Sequence, residues 1–496
     1  MTQIQLPAPA ATLALVSNLQ ANLRDFGRMV DRHGHPAPAL RQLGLVHWEN
    51  GRLDKAAQAF SAALSLMPDD AALWRDLAGV YTAMGQTDQV LAAIFRALEL
   101  DPDNAQSWLI LAGAADQQNN VNAAEAGYRR AIALHPTAAA YFGLGLLLFR
   151  QKRYDSALAA MEASIRLEPA NASAHYALGH LHFIAFEFAK CIASFDNAAR
   201  LGLTLDQQSR QKQVRAATFQ VMIEGNVQEA LRLYPEIAGA DCEDLDHITR
   251  DAFSVLSAMG HLETAAEVGR IRLAEMPDDP VRQYLLDAVT GRALTAAPTD
   301  YIERYFDQFA PQFDSKLVET LQYRGFSQIA KLVSRHQNHF TCALDLGCGT
   351  GLASGDLAQL AQNLVGVDIS SGMLAEAEKR GDYAELVRSE AVAYLQTTPQ
   401  RFDLIFAADS LIYFGDLGPV VRAAAFALTP GGLFALSIEV SDSDAYKLLP
   451  SGRFAHSPEY LKATATDFAI LECVESDIRL EAGRPVKGLY VVMKRR

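Results

Sequence analysis

The chain has 496 residues, half of them hydrophobic, and a formal net charge of −14. That length asks for more than one hydrophobic core and suggests about three domains of ordinary size. An acidic balance spread along the whole chain leaves no basic footprint for neutralising phosphates, so nucleic acid is excluded as an expected partner.

The five cysteines, Cys191, Cys242, Cys342, Cys348 and Cys473, show no CxxC spacing and no close histidine. Reduced thiols in a reducing compartment are therefore expected, with neither a disulfide framework nor a metal site. The first basic residue is Arg24, which leaves no positive n-region for a secretory signal. The longest apolar run, Thr137 to Phe149, is shorter than the roughly 20 residues that cross a bilayer. The expected location is the cytoplasm, with no membrane partner.

Residues 1–36 predict an N-terminal helical cap, with one helix from about Thr12 to Arg32 ended by His33-Gly34-His35-Pro36. From 37 the chain repeats: Pro68, Pro102, Pro136 and Pro169 follow one another at 34, 34 and 33 residues, each closing a helical pattern. A period of that length with two helices per unit is the tetratricopeptide (TPR) signature. Aromatic residues recur early in the units, at Trp74, Trp108 and Tyr141. Small residues recur where two helices must approach closely, at Ala56, Ala124, Ala157 and Cys191. Phe60, Tyr128 and Phe195 with Ala63, Ala97, Ala131 and Ala198 supply the large and small members of one packed seam. The register predicts five repeats over 37–204. Residues 205–297 carry weaker copies, one around Gly225, Ala230 and Tyr234 and another around Gly260, Ala265 and Pro277, with a closing helix from about Val281 to Arg292. Thr295 to Thr299 is the expected domain boundary.

Residues 298–340 predict a linker and two helices, the first rich in aromatics at Tyr301, Tyr305, Phe306, Phe309 and Phe313. These side chains fit either ordinary helix packing or a lid over a pocket. Beyond 341 strand and helix patterns alternate. Strands are predicted at 341–346, 363–368, 384–388, 402–408 and 432–440, with helices at about 352–361, 371–379, 391–396, 417–427 and 458–468 between and after them. This alternation predicts a doubly wound α/β parallel sheet. Two final strands, 470–481 and 486–494, are separated by too few residues for a crossover and should pair antiparallel.

The first strand runs into Leu344-Asp345-Leu346-Gly347-Cys348-Gly349-Thr350-Gly351. Glycines there let the backbone turn tightly and come close to a ligand, at the carboxyl end of the strands where open α/β sheets bind. The order is GxGxG with Leu352 following, so the third glycine of a dinucleotide fingerprint is missing. Asp368 ends the second strand, where a carboxylate can take both hydroxyls of a ribose. It could instead cap the next helix, a role also open to Ser370 or Ser371.

LDLGCGTG, then VDIS with Met373-Leu374, then FDLIFAADSLIYFGDL, then LTPGGLFALSIE resemble the successive motifs of class I S-adenosylmethionine-dependent methyltransferases. With the preceding repeats, the chain resembles the bacterial family of TPR-repeat methyltransferases. The fold this implies is an all-α TPR solenoid followed by a Rossmann-like α/β domain with a C-terminal antiparallel strand pair. The resemblance implies that Asp345, Gly347 and Gly349 serve the methionine end of S-adenosylmethionine, with Gly351 also at the cofactor, and Asp368 its ribose. It places Glu390 and Ala391 at the adenine, and Asp409 beside the reacting centre. Ile369 and Met373 would sandwich the adenine ring or belong to the core. Tyr413 stands where the family often has a histidine. If a general base is used, Tyr413 and His456 are the candidates, and His456 can equally be a structural residue beside the helix cap Ser457. No metal is implied.

In TPR proteins the concave groove is lined from the first helix of each unit, here by Arg41, Arg75, Phe142, Phe149, Tyr176, His180 and Phe183. An apolar peptide or protein segment is the ligand this groove would suit, although aromatic stripes also arise from packing. The expected function is a methyltransferase whose TPR arm recruits a peptide or protein-linked acceptor. The alternatives are an interaction scaffold with a cofactor-sensing or inactive domain, and a small-molecule methyltransferase whose repeats serve dimerisation.

Overall fold

The computed structural model describes residues 36–315, 317, 323, 325–481 and 484–496. The expected N-terminal helix at 12–32 lies outside them. The chain divides into two compact units, one ending at Ser209 and the other beginning at Arg210.

Among the described residues the first unit holds ten helices in five antiparallel pairs, from Pro36–Glu49 and Leu53–Leu66 to Ala172–Ile184 and Phe188–Arg200. The repeating sequence positions do what their sizes allow. Ala56, Ala124, Ala157 and Cys191 are wholly buried, as are Ala63, Ala97 and Ala198. Phe60 and Phe195 press so closely on Gly44 and Gly179 that an added Cβ would stand 2.6 Å from each ring. Each first helix from the second pair onward is capped by a side-chain oxygen, from Asp70, Asn104, Thr137 and Asn171, which satisfies an otherwise orphaned amide. Thr137 follows its proline directly, whereas the other caps stand two residues after theirs, and this accounts for the single 33-residue spacing. Trp74 and Trp108 donate their indole N–H to the carbonyls of Pro68 and Pro102 at 2.7 Å, tying each unit to the turn before it.

The second unit opens with two further helix pairs, Val227–Ala238 after Gln207–Ile223, then Leu245–Met259 with Leu262–Glu275, followed by Pro280–Val289. The expected boundary at Thr295–Thr299 falls inside this unit, and the chain there is stitched in. Ala297 N–H donates to Tyr413 O at 2.8 Å, and Gly415 and Asp416 donate to Thr295 O. Tyr284 and Tyr301 lie 4.2 Å apart on either side of the segment. Both are buried.

A nine-stranded sheet follows, with β1 Phe340–Leu346, β2 Ala361–Asp368, β3 Glu385–Arg388, β4 Phe402–Ala407, β5 Leu428–Val440, β6 Tyr446–Leu448, β7 Phe454–His456, β8 Phe468–Glu481 and β9 Arg484–Arg495. Strands β3-β2-β1-β4-β5 are parallel. β9 then runs antiparallel on β5, and β8 antiparallel on β9. Alternate residues of the central strands bury opposite faces. Leu344, Leu346, Ile405 and Ala407 face one core, and Ala343, Leu404 and Phe406 face the other together with the helix Gly325–His336. Burial on both faces is what a doubly wound parallel sheet requires. The helix expected at 352–361 is shorter, Ser354–Ala358, because β2 already pairs with β1 from Ala361. The three-residue strands β6 and β7 form a small hairpin, unanticipated from the sequence, and β7 pairs in parallel with β5 at Glu439 and Val440. No described helix is long and apolar enough to cross a membrane.

Candidate functional site

The carboxyl ends of β1, β2 and β4 open into a cavity of about 410 Å3 in the second unit. Its size falls in the usual range for small-molecule and cofactor sites. After β1 the backbone turns through left-handed conformations at Gly347 (φ 73°) and Gly349 (φ 55°), a region that costs a side chain dearly. A Cβ on Gly347 would stand 2.5 Å from Ser410 Cβ, so β1 and β4 could not close up. A Cβ on Gly349 would project into open space, with Phe313 3.9 Å away. That space is a cradle that only glycine leaves free. Both glycines line the cavity with Asp345, Cys348 and Thr350. Gly351 does not. Its φ of 78° and its closeness to Arg380 and Tyr383 make it a turn residue, which corrects its expected contact with the cofactor.

Asp345 is 2% exposed and accepts a hydrogen bond from the Tyr383 phenol at 2.7 Å. Burial pushes its carboxyl up to about 7, the Tyr383 hydrogen bond opposes that rise, and the nearby charge of Asp368 adds to it. Asp368 accepts Gly349 N–H and Ser370 N–H, each at 2.9 Å, so the acid itself fixes the glycine loop. Burial raises its pKa, and the amide hydrogen bonds hold it down. The helix cap is Ser370, whose Oγ accepts Met373 N–H at 3.1 Å. Asp368 lines the cavity together with Ile369 and Met373.

Ser389, Glu390 and Ala391 line the same wall. Glu390 also caps the helix Ala391–Thr397 by accepting Val392 and Ala393 N–H at 3.0 and 2.7 Å. The first helix after the repeats, Thr299–Phe309, covers the opening. Ile302, Tyr305, Phe306 and Phe309 line the cavity, as does Phe313 beyond it. The helix is held down by Asp307, which accepts Ser370 Oγ and Gly372 N–H at 2.6 and 2.8 Å, and by the Glu303–Arg388 ion pair. Asp314 adds contacts to Thr350 and Arg380. Of the aromatics in this stretch, Tyr305, Phe306, Phe309 and Phe313 line the cavity, whereas Tyr301 packs on Tyr284.

The lining also includes Asp409, Tyr413, Phe414, Arg453 and Arg479, with Ser254 from the helix Leu245–Met259. Asp409 holds a left-handed φ of 57°, rare for a residue with a side chain. It is fixed by Ser437 Oγ on its amide and by Arg479 Nη1 on its carboxylate, both at 2.9 Å. Arg479 also binds Glu439. Burial raises the Tyr413 phenol above the usual range. His456 is fully buried and is absent from the lining. Its Nε2 lies 2.7 and 3.2 Å from the carbonyls of Phe414 and Gly415, to which it donates. Burial pushes its pKa down to about 4, and Ser457 caps the next helix. His456 is thus a structural residue holding the segment after Tyr413, a correction to its candidacy as a base.

Sequence reasoning missed Tyr383, Asp307, Tyr323, Arg453 and Arg479. Arg479 reaches the cavity because the β8 register shifts between Asp477 and Arg479, so Ile478 and Arg479 both turn inward. Such a bulge re-aims a side chain and leaves no trace in a two-residue periodicity. In the repeats, Tyr176 and His180 are engaged rather than open. Tyr176 donates to Asp206 at 2.7 Å, and His180 Nε2 is 3.1 Å from Ser209 Oγ. Phe142 and Phe149 pack on the local core, and Arg41 pairs with Asp76.

Family models agree with this architecture. A methyltransferase-domain family model matches residues 344–436. Tetratricopeptide-repeat models match 47–98 and overlapping stretches of 75–139, 115–172 and 142–202. The ubiquinone biosynthesis O-methyltransferase of Azorhizobium caulinodans is 32% identical over 97 residues, 19% of this chain and 38% of the relative. The chain therefore spans well under half of that relative's length. The N-methyltransferase NodS from Bradyrhizobium japonicum WM9, solved with S-adenosylhomocysteine, is 17% identical, with a TM-score of 0.34 over 39% of this chain and 98% of that one. MamA is 24% identical, with a TM-score of 0.30 over 32% of this chain and 93% of that one. The chain joins tetratricopeptide repeats to a Rossmann-like methyltransferase domain.

Proposed function

We propose that this chain transfers the methyl group of S-adenosylmethionine to an acceptor held beneath the helix Thr299–Phe309, and that the TPR unit recruits the polypeptide that is, or carries, that acceptor. The carrying observation is the common lining of one cavity by Asp345, Gly347, Gly349 and Asp368 and by Tyr305, Phe306 and Tyr413. When bound, S-adenosylmethionine supplies a methyl group activated on a sulfonium. The open space over Gly349 and the paired acids of β1 and β2 fit such a ligand.

The roles of the chain's own residues follow from their geometry. Asp345 offers a carboxylate to an ammonium, and Asp368, oriented by two backbone amides, offers lone pairs to ribose hydroxyls. Ile369 and Met373 give apolar surface to a flat ring. The lid excludes water, and holding two reactants in line can supply roughly 7 to 11 kcal/mol of the barrier. Asp409, locked by Arg479, and the Tyr413 phenol face the acceptor. A carboxylate acceptor needs no base, and a phenol or amine would meet the Asp409 carboxyl as a group that can take a proton.

A second reading is a free small acceptor, with the repeats serving assembly. The aromatic lining favours it, as does the name of the ubiquinone-biosynthesis relative. Incubating the full chain with methyl-labelled cofactor and cell extract, followed by mass spectrometry, separates the two. Label in a polypeptide supports recruitment, and label confined to metabolites supports the second reading. Absence of transfer to any fraction would sink both.

A further inference from the structure

A methyl acceptor that arrives protonated has to lose its proton, and the lining of the cavity has no ready taker for it. A general base works best with a pKa near the operating pH. Among the described residues no histidine lines the cavity, and His456 is turned to the carbonyls of Phe414 and Gly415. The Asp409 carboxylate accepts Arg479 Nη1 at 2.9 Å, and a proton there would break a pair whose arginine side chain is 1% exposed. Asp368 and Glu390 are each taken by two backbone amides. Asp345 holds the Tyr383 phenol and, in the reading above, the cofactor's ammonium. Burial pushes the Tyr413 and Tyr323 phenols and the Cys348 thiol up, so all three keep their protons.

The lining does offer a donor. Tyr413 lines the cavity, and its Oη makes no hydrogen bond to a described residue. It is not among the buried unpartnered atoms either, so the hydroxyl is open to the cavity. The ring is fixed in place. Phe306 meets it edge-on at 5.5 Å, its carbonyl accepts Ala297 N–H at 2.8 Å, and the carbonyl of Phe414 takes His456 Nε2. The short helix Leu411–Tyr413 follows Ser410, whose Oγ donates to Leu346 O at 2.9 Å, which seats this segment against the glycine turn. The guanidinium charges of Arg453 and Arg479 both favour an anion at the Tyr413 hydroxyl, with Asp409 opposing them.

We propose that the acceptor is a carboxylate, one oxygen of which takes the methyl group while the other accepts Tyr413 Oη–H. This rests on the reading that the cavity binds S-adenosylmethionine. A lone pair of the attacking oxygen forms the new C–O bond, the S–CH3 bond breaks, and its electron pair stays on sulfur. The carboxylate's negative charge and the sulfonium's positive charge cancel. A methyl ester and S-adenosylhomocysteine result, and no proton is transferred.

The test uses the full chain with methyl-labelled S-adenosylmethionine and cell extract, counting label above the same extract without the chain. Acid precipitation separates labelled polypeptide from labelled metabolite, and each fraction is then treated with mild alkali. A methyl ester gives up its label as volatile methanol, whereas methyl ethers and methylamines keep theirs. Most of the transferred label should become volatile, whichever fraction carries it, and label that stays bound overturns the proposal. Tyr413→Phe keeps the ring and loses the donor. It should slow the alkali-labile transfer about tenfold, the scale of one hydrogen bond to a charged group, and leave calorimetric affinity for S-adenosylhomocysteine within about twofold. Undiminished transfer by the variant, or an equal loss of cofactor affinity, overturns the proposal. A folded wild-type chain that binds no S-adenosylhomocysteine refutes the cofactor reading instead.

Discussion

Lowering the pH should release the cofactor, and the size of the effect follows from Asp345. Burial raises its carboxyl to about 7 in the unliganded protein, the Tyr383 hydrogen bond opposing and the Asp368 charge adding to the rise. An ammonium ligand needs the ionised carboxylate, so below that pH binding must first expel a proton. Affinity should therefore fall about tenfold per pH unit, reaching about hundredfold, or about 2.7 kcal/mol, near pH 5. Asp368, also raised by burial, acts in the same direction. The unliganded fold shows the opposite sign. A carboxyl raised from 3.8 to about 7 by folding holds a proton that the unfolded chain has released, so its stability falls as pH rises through that window. Calorimetric titration with S-adenosylhomocysteine at about pH 5, 6, 7 and 8, repeated on Asp345→Asn, measures this. Affinity that is flat across the range, or a slope as steep in Asp345→Asn as in wild type, would refute the reasoning.

Asp368→Ala should weaken the cofactor by about 1.5 to 3 kcal/mol, the scale of a hydrogen bond to a charged group, and equilibrium dialysis showing unchanged binding would remove the ribose from this acid. His456→Ala should lower stability in urea by about 2 to 4 kcal/mol while leaving the pH profile of methyl transfer unchanged, because the imidazole serves Phe414 and Gly415; loss of a basic limb would restore it as a base. In wild type, a histidine lowered from 6.5 to about 4 should cost stability as pH falls through that window, about 3 kcal/mol once it is fully crossed. A chain starting at 298 should be destabilised by about 3 to 6 kcal/mol, since it loses Tyr284, which packs on Tyr301 and donates to Gly452 O at 2.9 Å. A chain starting at 207 should keep its cofactor affinity, and comparable melting of the two truncations would contradict this.

The repeats and the glycine loop were legible because each rests on local constraints. Close helix approach demands Ala at 56, 124 and 157, and a turn passing under a ligand demands Gly at 347 and 349. The β-α alternation was readable for the same reason, since strands buried on both faces are nearly all apolar. What escaped depends on tertiary placement. Strands of three residues, as at 446–448 and 454–456, carry no period. Arg479 enters through a bulge, and the inward aim of Tyr323 depends on packing against Gly325. The weak composition break at 295–299 suggested a boundary, yet the backbone there is bonded to Tyr413 and Gly415 and the division lies near 209. The stripe at Tyr176 and His180 looked like a groove because its partners, Asp206 and Ser209, belong to the segment after the last clear repeat.

The central claim is that the turn after β1 cradles S-adenosylmethionine, and Gly349→Val tests it most directly. Its Cβ would enter the open side of the turn, with only Phe313 within 4 Å among the described residues, at a φ of 55°. Titration with S-adenosylhomocysteine should give one site per chain in wild type and a loss of about hundredfold or more in the variant, while the repeats melt as before. A folded wild-type protein that binds none, or a Gly349→Val protein that binds as well as wild type, would contradict the account.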